Sequence, residues 1–298
     1  MSQTPPLLAW YERHRRSLPW RSDRSPYRVV VSEFMLQQTQ VDRVVPVFER
    51  FVTNFPSFAA LAEASSADVV RAWRGLGYNS RAVRLQRLAK AVCERHGGTL
   101  PSDGDALRAL PGVGPYTVAA IRAFAFDIDG VALDTNIRRI VHRTRIGLEV
   151  PEPASAKAVE AAALSFVVPG RANDVNSALM DLGATICTAR APKCLVCPLR
   201  DVCAAAPVDA GALAAHAKQR VKASERVPFE RTSRFLRGRI VDALRALAPH
   251  ESISLLDLHG MLATVAPDRS PDEIAEATQG LARDGVVAFD GATIALAR

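Results

Sequence analysis

An all-α body is predicted for most of this 298-residue chain by three features. Apolar residues recur at three- and four-residue spacing up to Cys203, the breaks between those stretches carry helix stop and start residues, and period-two alternation is almost absent there. The apolar faces run through Leu7–His14, Val29–Leu36, Val44–Phe55, Val69–Trp73, Ala82–Val92, Val118–Phe126, Ile137–Ile146 and Ala158–Val167. Between them stand Pro56-Ser57, Ser65-Ser66, Gly97-Gly98, Pro101-Ser102, Pro111-Gly112 and Pro151. Such residues cap a helix, supply a left-handed turn or cannot continue a helix. Many short helices packed on one another follow from the pattern.

After Cys203 the composition becomes Ala-rich and then rich in Lys and Arg, so 205–227 reads as a linker or peripheral helix. From Pro228 a new pattern begins. Phe235–Leu247, Ile253–Leu262 and Pro271–Arg283 read as helices, and Gly285 to Leu296 as a β-hairpin turning at Asp290-Gly291. Three helices followed by a hairpin resemble a winged-helix module. The expected organisation is therefore a body at 1–204, a linker at 205–227 and a winged-helix-like module at 228–298.

Hydrophobic residues make up 48% of the chain and charged residues 23%, values that exclude an intrinsically disordered protein. No apolar run approaches the ~18–20 residues of a membrane helix. The N-terminus has no export signal, which places the chain in the cytoplasm as an expectation. The net charge is +7, and it is unevenly spread. The last 71 residues hold eight Arg and ten acids, leaving +9 on the rest. A basic body points to a polyanionic partner, most simply nucleic acid.

Four of the five cysteines, Cys187, Cys194, Cys197 and Cys203, form a C-x6-C-x2-C-x5-C run. Four thiolates in one short loop suit zinc or an iron–sulfur cluster. Cys93 lies in an apolar helical pattern and reads as a buried small residue. Leu110-Pro-Gly-Val-Gly-Pro-Tyr-Thr joins two expected helices. Gly112 permits a tight turn, and Gly114 opens the second helix with exposed backbone N–H groups, an arrangement that holds a phosphate without reading sequence.

The cysteine spacing matches the cluster loop of the endonuclease III and MutY branch of DNA glycosylases, and the glycine string resembles their helix-hairpin-helix. Val31-Ser-Glu-Phe-Met-Leu-Gln-Gln-Thr-Gln-Val41, Gly75-Leu-Gly-Tyr78, Leu133-Asp-Thr-Asn136 and Leu182-Gly-Ala-Thr-Ile-Cys187 continue the likeness in order. It covers residues 7 to about 204 and points to the MutY-type adenine DNA glycosylases. The resemblance implies a glycosylase body of two helical lobes, a [4Fe–4S] cluster on the 187–203 loop, and double-stranded DNA containing a mismatch or lesion as partner. It also implies a monomer that flips a base and cleaves its N-glycosidic bond.

That reaction explains the residue types. Adenine leaves poorly as an anion, and a carboxylic acid on an apolar helix can protonate it. Glu33, flanked by Val30, Val31, Phe34 and Met35, fits. The sugar left behind is cationic in character, and Asp134 matches the carboxylate that stabilises it; its plainer role is a helix N-cap. Asn136 would position Asp134 or a water. Tyr116 stands where strand-cleaving relatives carry a nucleophilic lysine, and no lysine precedes Lys90, so a monofunctional enzyme is expected. Gln38 and Tyr78 match the pair that fills the space left by the flipped base. Gln37, Thr39, Trp20, Arg21 and Asp181 match residues around the base, and Gly112 and Gly114 the DNA-backbone turn.

The family commonly carries a C-terminal NUDIX-like β-rich domain, whereas about 70 mainly helical residues are expected here. Asn79 replaces a frequent second tyrosine, and Thr135 a frequent glycine. The alternative activities are excision of thymine, uracil or another damaged base, or lesion binding without catalysis. Spacings of three, three and two put Arg231 and Arg234 near one helical face with Arg237 and Arg239 close by, which reads either as a solvated face or as a DNA contact of the C-terminal module.

Overall fold

The computed structural model describes residues 4–147, 154–209, 211–215 and 228–298. Helices dominate it, and the expected stops stand where helices end or begin, except Pro151, which lies outside the described residues. Ser57, Ser65, Asp134, Ser155, Thr232, Ser254 and Ser270 each accept a backbone N–H of the following turn, as N-caps do. Part of the expected linker, residues 210 and 216–227, lies outside the described residues.

Two compact units make up the chain. The first contains Met1–Val29, Ser102–Arg108 and Val113–Glu225. Its helices are α1 (Thr4–His14), α2 (Pro19–Ser22), α8 (Gly104–Arg108), α9 (Pro115–Phe126), α10 (Thr135–Val141), α11 (Ala156–Ala163) and α12 (Ala172–Thr185). Leu7, Trp10, Ile137, Ile140, Phe166, Leu179 and Leu182 form its core, and Cys187 and Cys197 pack at the edge of that core. A π-helical turn, His142–Ile146, continues α10. Such turns often mark functional positions.

The second unit contains Val30–Pro101, Ala109–Gly112 and Arg226–Arg298. The helix α3 (Pro26–Leu36) enters it, followed by α4 (Val41–Asn54), α5 (Phe58–Glu63), α6 (Ser66–Ala72) and α7 (Ser80–His96). Phe34, Phe48, Phe51, Leu61, Trp73, Leu85 and Leu88 are all but fully buried. The C-terminal residues add α13 (Ser233–Arg245), α14 (Leu255–Leu262) and α15 (Pro271–Arg283), with strands β1 (Ile253–Ser254), β2 (Val287–Phe289) and β3 (Thr293–Leu296).

The expected hairpin is present, with Phe289 opposite Ile294 and Val287 opposite Leu296. One expectation needs correction: Ile253 and Ser254 form a strand, not the start of a helix, because they pair with Ile294 and Thr293. The sheet order is β1-β3-β2. Among the described residues, no helix is long and apolar enough to cross a membrane.

Candidate active site

Glu33 lies on α3 and is 6% exposed, among buried Val30, Val31, Phe34 and Met35. The chain leaves α3 through Gln37, Gln38 and Thr39, and Gln38 is exposed with a left-handed backbone, φ 55°. Tyr78, in the turn between α6 and α7, shares this rare conformation with φ 46° and is 36% exposed. Non-glycine residues in this region store strain, and such strain concentrates at functional positions. Both members of the expected insertion pair carry it.

Arg81, which local sequence patterns did not single out, ties these turns together. Its buried guanidinium donates to the carbonyls of Phe34, Met35 and Gln37 at 2.9, 2.8 and 2.6 Å. It also reaches Thr39 Oγ1 at 3.0 Å and the Leu76 and Gly77 carbonyls at 3.2 and 3.1 Å. One side chain thus joins the end of the Glu33 helix to the Gln38 and Tyr78 turns. Burial pulls the guanidinium down to about 10, which leaves it charged near neutrality.

Gly112 has φ 78°, and a Cβ there would stand 3.1 Å from the Phe34 ring, so both backbone and space call for glycine. In the first unit Gly114 is the N-cap of α9, with Pro115 in the first turn and no side-chain cap. Tyr116 lies in that same first turn of α9, half-buried.

Asp134 is held by both oxygens. Oδ1 accepts the Ile137 backbone N–H at 2.7 Å and Oδ2 accepts Asn136 Nδ2 at 3.0 Å. Asn136 Oδ1 accepts Arg139 Nη2 at 2.9 Å, and Arg139 also donates to the carbonyls of Gly183 and Cys187, each at 2.8 Å. A continuous hydrogen-bonded path therefore runs from the Asp134 carboxylate to the first cluster cysteine. Gly183 is needed for it: a Cβ there would stand 2.7 Å from Asn136 Cβ.

Trp20 and Arg21 are in the first unit with Asp181, which is 1% exposed. Arg21 donates to both Asp181 oxygens at 2.8 and 3.0 Å, and Arg16 Nε adds a bond at 2.6 Å. Burial pushes the Asp181 carboxyl up, but the two arginines outweigh it and hold the group below the usual carboxylate range. Its stabilisation is present above the unfolded carboxylate pKa and lost as pH falls through the lower folded value. Asp181→Asn removes the charge facing two arginines and should lower stability by about 3 kcal/mol at pH 7. The wild-type advantage should shrink on acidification, measured by denaturant midpoints across pH.

The cysteines converge as their spacing requires. Cys187, Cys194, Cys197 and Cys203 line one pocket together with Arg143, Lys193 and Arg200. Four thiol donors lining one space are the donor set of an iron–sulfur cluster or of zinc. Arg143 donates to Cys187 Sγ at 3.4 Å and to the Thr188 and Ala189 carbonyls at 2.7 and 3.2 Å. The other end of the loop returns to the π-helical turn, Ala205 donating to the Arg143 carbonyl at 2.9 Å. Burial, reinforced by the neighbouring cysteines, pushes the Cys197 thiol up to about 11. Cys197 would have to give up this proton to serve as a ligand of an iron–sulfur cluster.

Residues 31–167 match the model of the HhH-GPD superfamily base excision DNA repair protein, and 187–203 that of the iron–sulfur binding domain of endonuclease III. The chain is 37% identical to the adenine DNA glycosylase of Mycolicibacterium smegmatis over 270 residues, covering 90% of this chain and 89% of that protein. It belongs to the HhH-GPD superfamily, in the adenine DNA glycosylase branch.

The Mycobacterium tuberculosis adenine DNA glycosylase is 39% identical over 294 residues, covering 96% of this chain and 92% of that protein. That similarity includes most of the C-terminal residues. The mouse adenine DNA glycosylase is 42% identical over 209 residues, 67% of this chain and 41% of that protein. Among solved structures, a thermostable thymine-DNA glycosylase superposes with TM-score 0.63 at 31% identity, over 68% of this chain and 94% of that one. An endonuclease III–DNA covalent intermediate shares the fold, with TM-score 0.57 at 22% identity, 67% of this chain and 91% of that one.

The endonuclease III iron–sulfur binding domain at residues 187–203 gives the chain a [4Fe–4S] cluster, and the four cysteines of that segment line one space that would hold it. Anaerobically purified protein should be brown, with about four irons per chain and broad absorbance near about 400 nm. One zinc per colourless chain would contradict this assignment.

Proposed function

We propose that the chain is a monofunctional DNA glycosylase of base-excision repair that hydrolyses the N-glycosidic bond of adenine mispaired with 8-oxoguanine or guanine. The observation that carries the reading is the Asp134 carboxylate, fixed by Ile137 N–H and Asn136 Nδ2, in a chain whose relatives of matching length are adenine DNA glycosylases.

Glu33 protonates the departing adenine, a task suited to an acid embedded in an apolar helix. As the glycosidic bond lengthens, positive charge grows on the sugar and Asp134 stabilises it. Asn136 keeps Asp134 from turning away, and the Arg139 guanidinium keeps Asn136 in place. Water completes the hydrolysis. Tyr116 offers a hydroxyl where a Schiff-base mechanism needs an amine, so efficient strand cleavage is not expected.

Gln38 and Tyr78 fill the space left by the flipped base, one by hydrogen bonding and the other by stacking. Gln37 and Thr39, drawn in by Arg81, are assigned to the base, as are Trp20 and Arg21 in their own unit. Asp181 acts through Arg21, since its own oxygens are taken. The start of α9 at Gly114, the Gly112 turn, and exposed Arg190, Lys193 and Arg200 on the cluster loop serve the phosphate backbone. The cluster's contribution is to fold the loop that presents those cations.

Single-turnover base release from duplexes containing A:8-oxoguanine, A:G, T:G and U:G pairs tests this reading. The first two should react and the last two should not. Preference for T:G or U:G would shift the assignment to a pyrimidine glycosylase, and binding without release on all four would indicate a lesion binder.

A further inference from the structure

The C-terminal residues share a core with the helices around Tyr78. Val70 of α6 and Val83 of α7 are buried in one apolar cluster with Leu236, Ile240, Leu281 and Val286. Two arginines of α13 reach the α6–α7 turn from this base. Arg245, with a side chain 7% exposed, donates to the Val70 carbonyl at 2.8 Å and Asn79 Oδ1 at 2.9 Å, and Asp242 accepts from it at 2.9 Å. Asn79, where a second tyrosine is common in the family, is therefore a bracket between the turn and α13.

Arg234 reaches further. It donates to the Tyr78 hydroxyl, and its guanidinium carbon lies 5.3 Å from the Tyr78 ring centre and 4.9 Å from that of Phe229. On the interior side the Arg81 guanidinium lies 5.5 Å from the Tyr78 ring and 5.5 Å from the Trp73 ring. Trp73, Arg81, Tyr78, Arg234 and Phe229 thus alternate ring and cation from a fully buried indole to a half-exposed phenyl. Cations attract ring faces, and a planar guanidinium stacks and donates a hydrogen bond at once, which an ammonium does less well.

The other expected arginines do not contribute. Arg231 lies in a short 3-10 turn before α13, Arg237 pairs with Asp284, and Arg239 pairs with Asp242. The single basic face expected from the spacing is thereby corrected to one arginine, Arg234, aimed at one tyrosine.

We propose that Arg234 is a positioning residue that sets the orientation of Tyr78, so that the C-terminal module acts on mispair recognition through this side chain. The proposal rests on the reading of Tyr78 as the residue that enters the duplex. A tyrosine held at its ring and hydroxyl has fewer rotamers to lose on insertion, and its strained backbone needs such support. Preorganisation of this kind raises affinity for the distorted mispaired duplex without any base contact by the module.

The test is a double-mutant cycle between Arg234→Met and Tyr78→Phe, read on a duplex with a non-hydrolysable 2′-fluoro adenosine opposite 8-oxoguanine. Binding is measured directly, and insertion by fluorescence of a neighbouring 2-aminopurine. Arg234 is exposed, so its replacement should leave the fold intact; Tyr78→Phe probes the same contact from the other side. Each single variant should weaken binding about five- to tenfold and reduce the fluorescence change, and the double variant should be no worse than Arg234→Met, the signature of one shared interaction. Arg234→Lys should recover only part of the loss. Additive effects, a neutral Arg234→Met, or full recovery by lysine would overturn the proposal. Tyr78→Ala separates the two levels: if it binds and inserts like wild type, the wedge reading falls and this proposal with it. If Tyr78→Ala is impaired while Arg234→Met is neutral, only the positioning role falls.

Discussion

Glu33→Gln lowers the single-turnover rate of base release by about 10²–10⁴-fold while mispaired duplex is still bound. Glutamine keeps the size and hydrogen-bonding capacity of the buried side chain but has no proton to give, and proton donation to a poor leaving group contributes about that factor. Burial strengthens the contrast with an ordinary surface glutamate. If Glu33 were a structural residue of α3, the amide would alter stability and leave the rate close to wild type. Measured stability and rate together therefore distinguish the two roles.

Asp134→Asn is the second large effect, about 10²–10³-fold, since a preorganised charge facing a developing cation is worth about 3–4 kcal/mol. The substitution is informative because Asp134 is also the N-cap of α10. Asparagine caps helices as well as aspartate does, so an unchanged thermal midpoint with a collapsed rate assigns the loss to the missing charge. A collapsed midpoint with a normal rate per folded molecule would reduce Asp134 to its cap.

Most of the fold was legible because its helices are bounded by local chemistry. Ser57, Ser65 and Ser155 start helices, Gly97 with φ 59° ends α7, and Asp290-Gly291 turns the hairpin. The helix α12 was hidden because part of its buried face is polar. Asn173, Asn176, Ser177 and Asp181 are inside. Asn176 is satisfied by the Ala132 N–H and the Gly130 carbonyl, and Asp181 by two arginines of the N-terminal segment. A periodicity read from apolar residues misses such a face.

The candidate residues Glu33, Asp134 and the four cysteines stand out in the sequence because each lies in a local motif, and the structure shows Glu33 buried, Asp134 capping α10 and the cysteines lining one space. Arg81, Arg139 and Arg234 were not assigned their roles. Each acts through partners distant in sequence: the carbonyls of Phe34, Met35 and Gln37 for Arg81, the Cys187 carbonyl for Arg139, and Tyr78 for Arg234. An arginine in a sequence shows charge but not which carbonyls will surround it. The strand β1 was missed for the same reason, since its two residues become a strand only by pairing with Ile294 and Thr293.

Hydrolytic release of adenine with Glu33 as the acid is settled by identifying the products. An A:8-oxoguanine duplex is incubated with wild-type protein or Glu33→Gln, and both the released base and the strand are identified by mass spectrometry. The wild type should yield free adenine and an intact strand carrying an abasic site, and the variant neither on the same time scale. Adenine release by Glu33→Gln at the wild-type rate, or a strand cut without alkali, would contradict it.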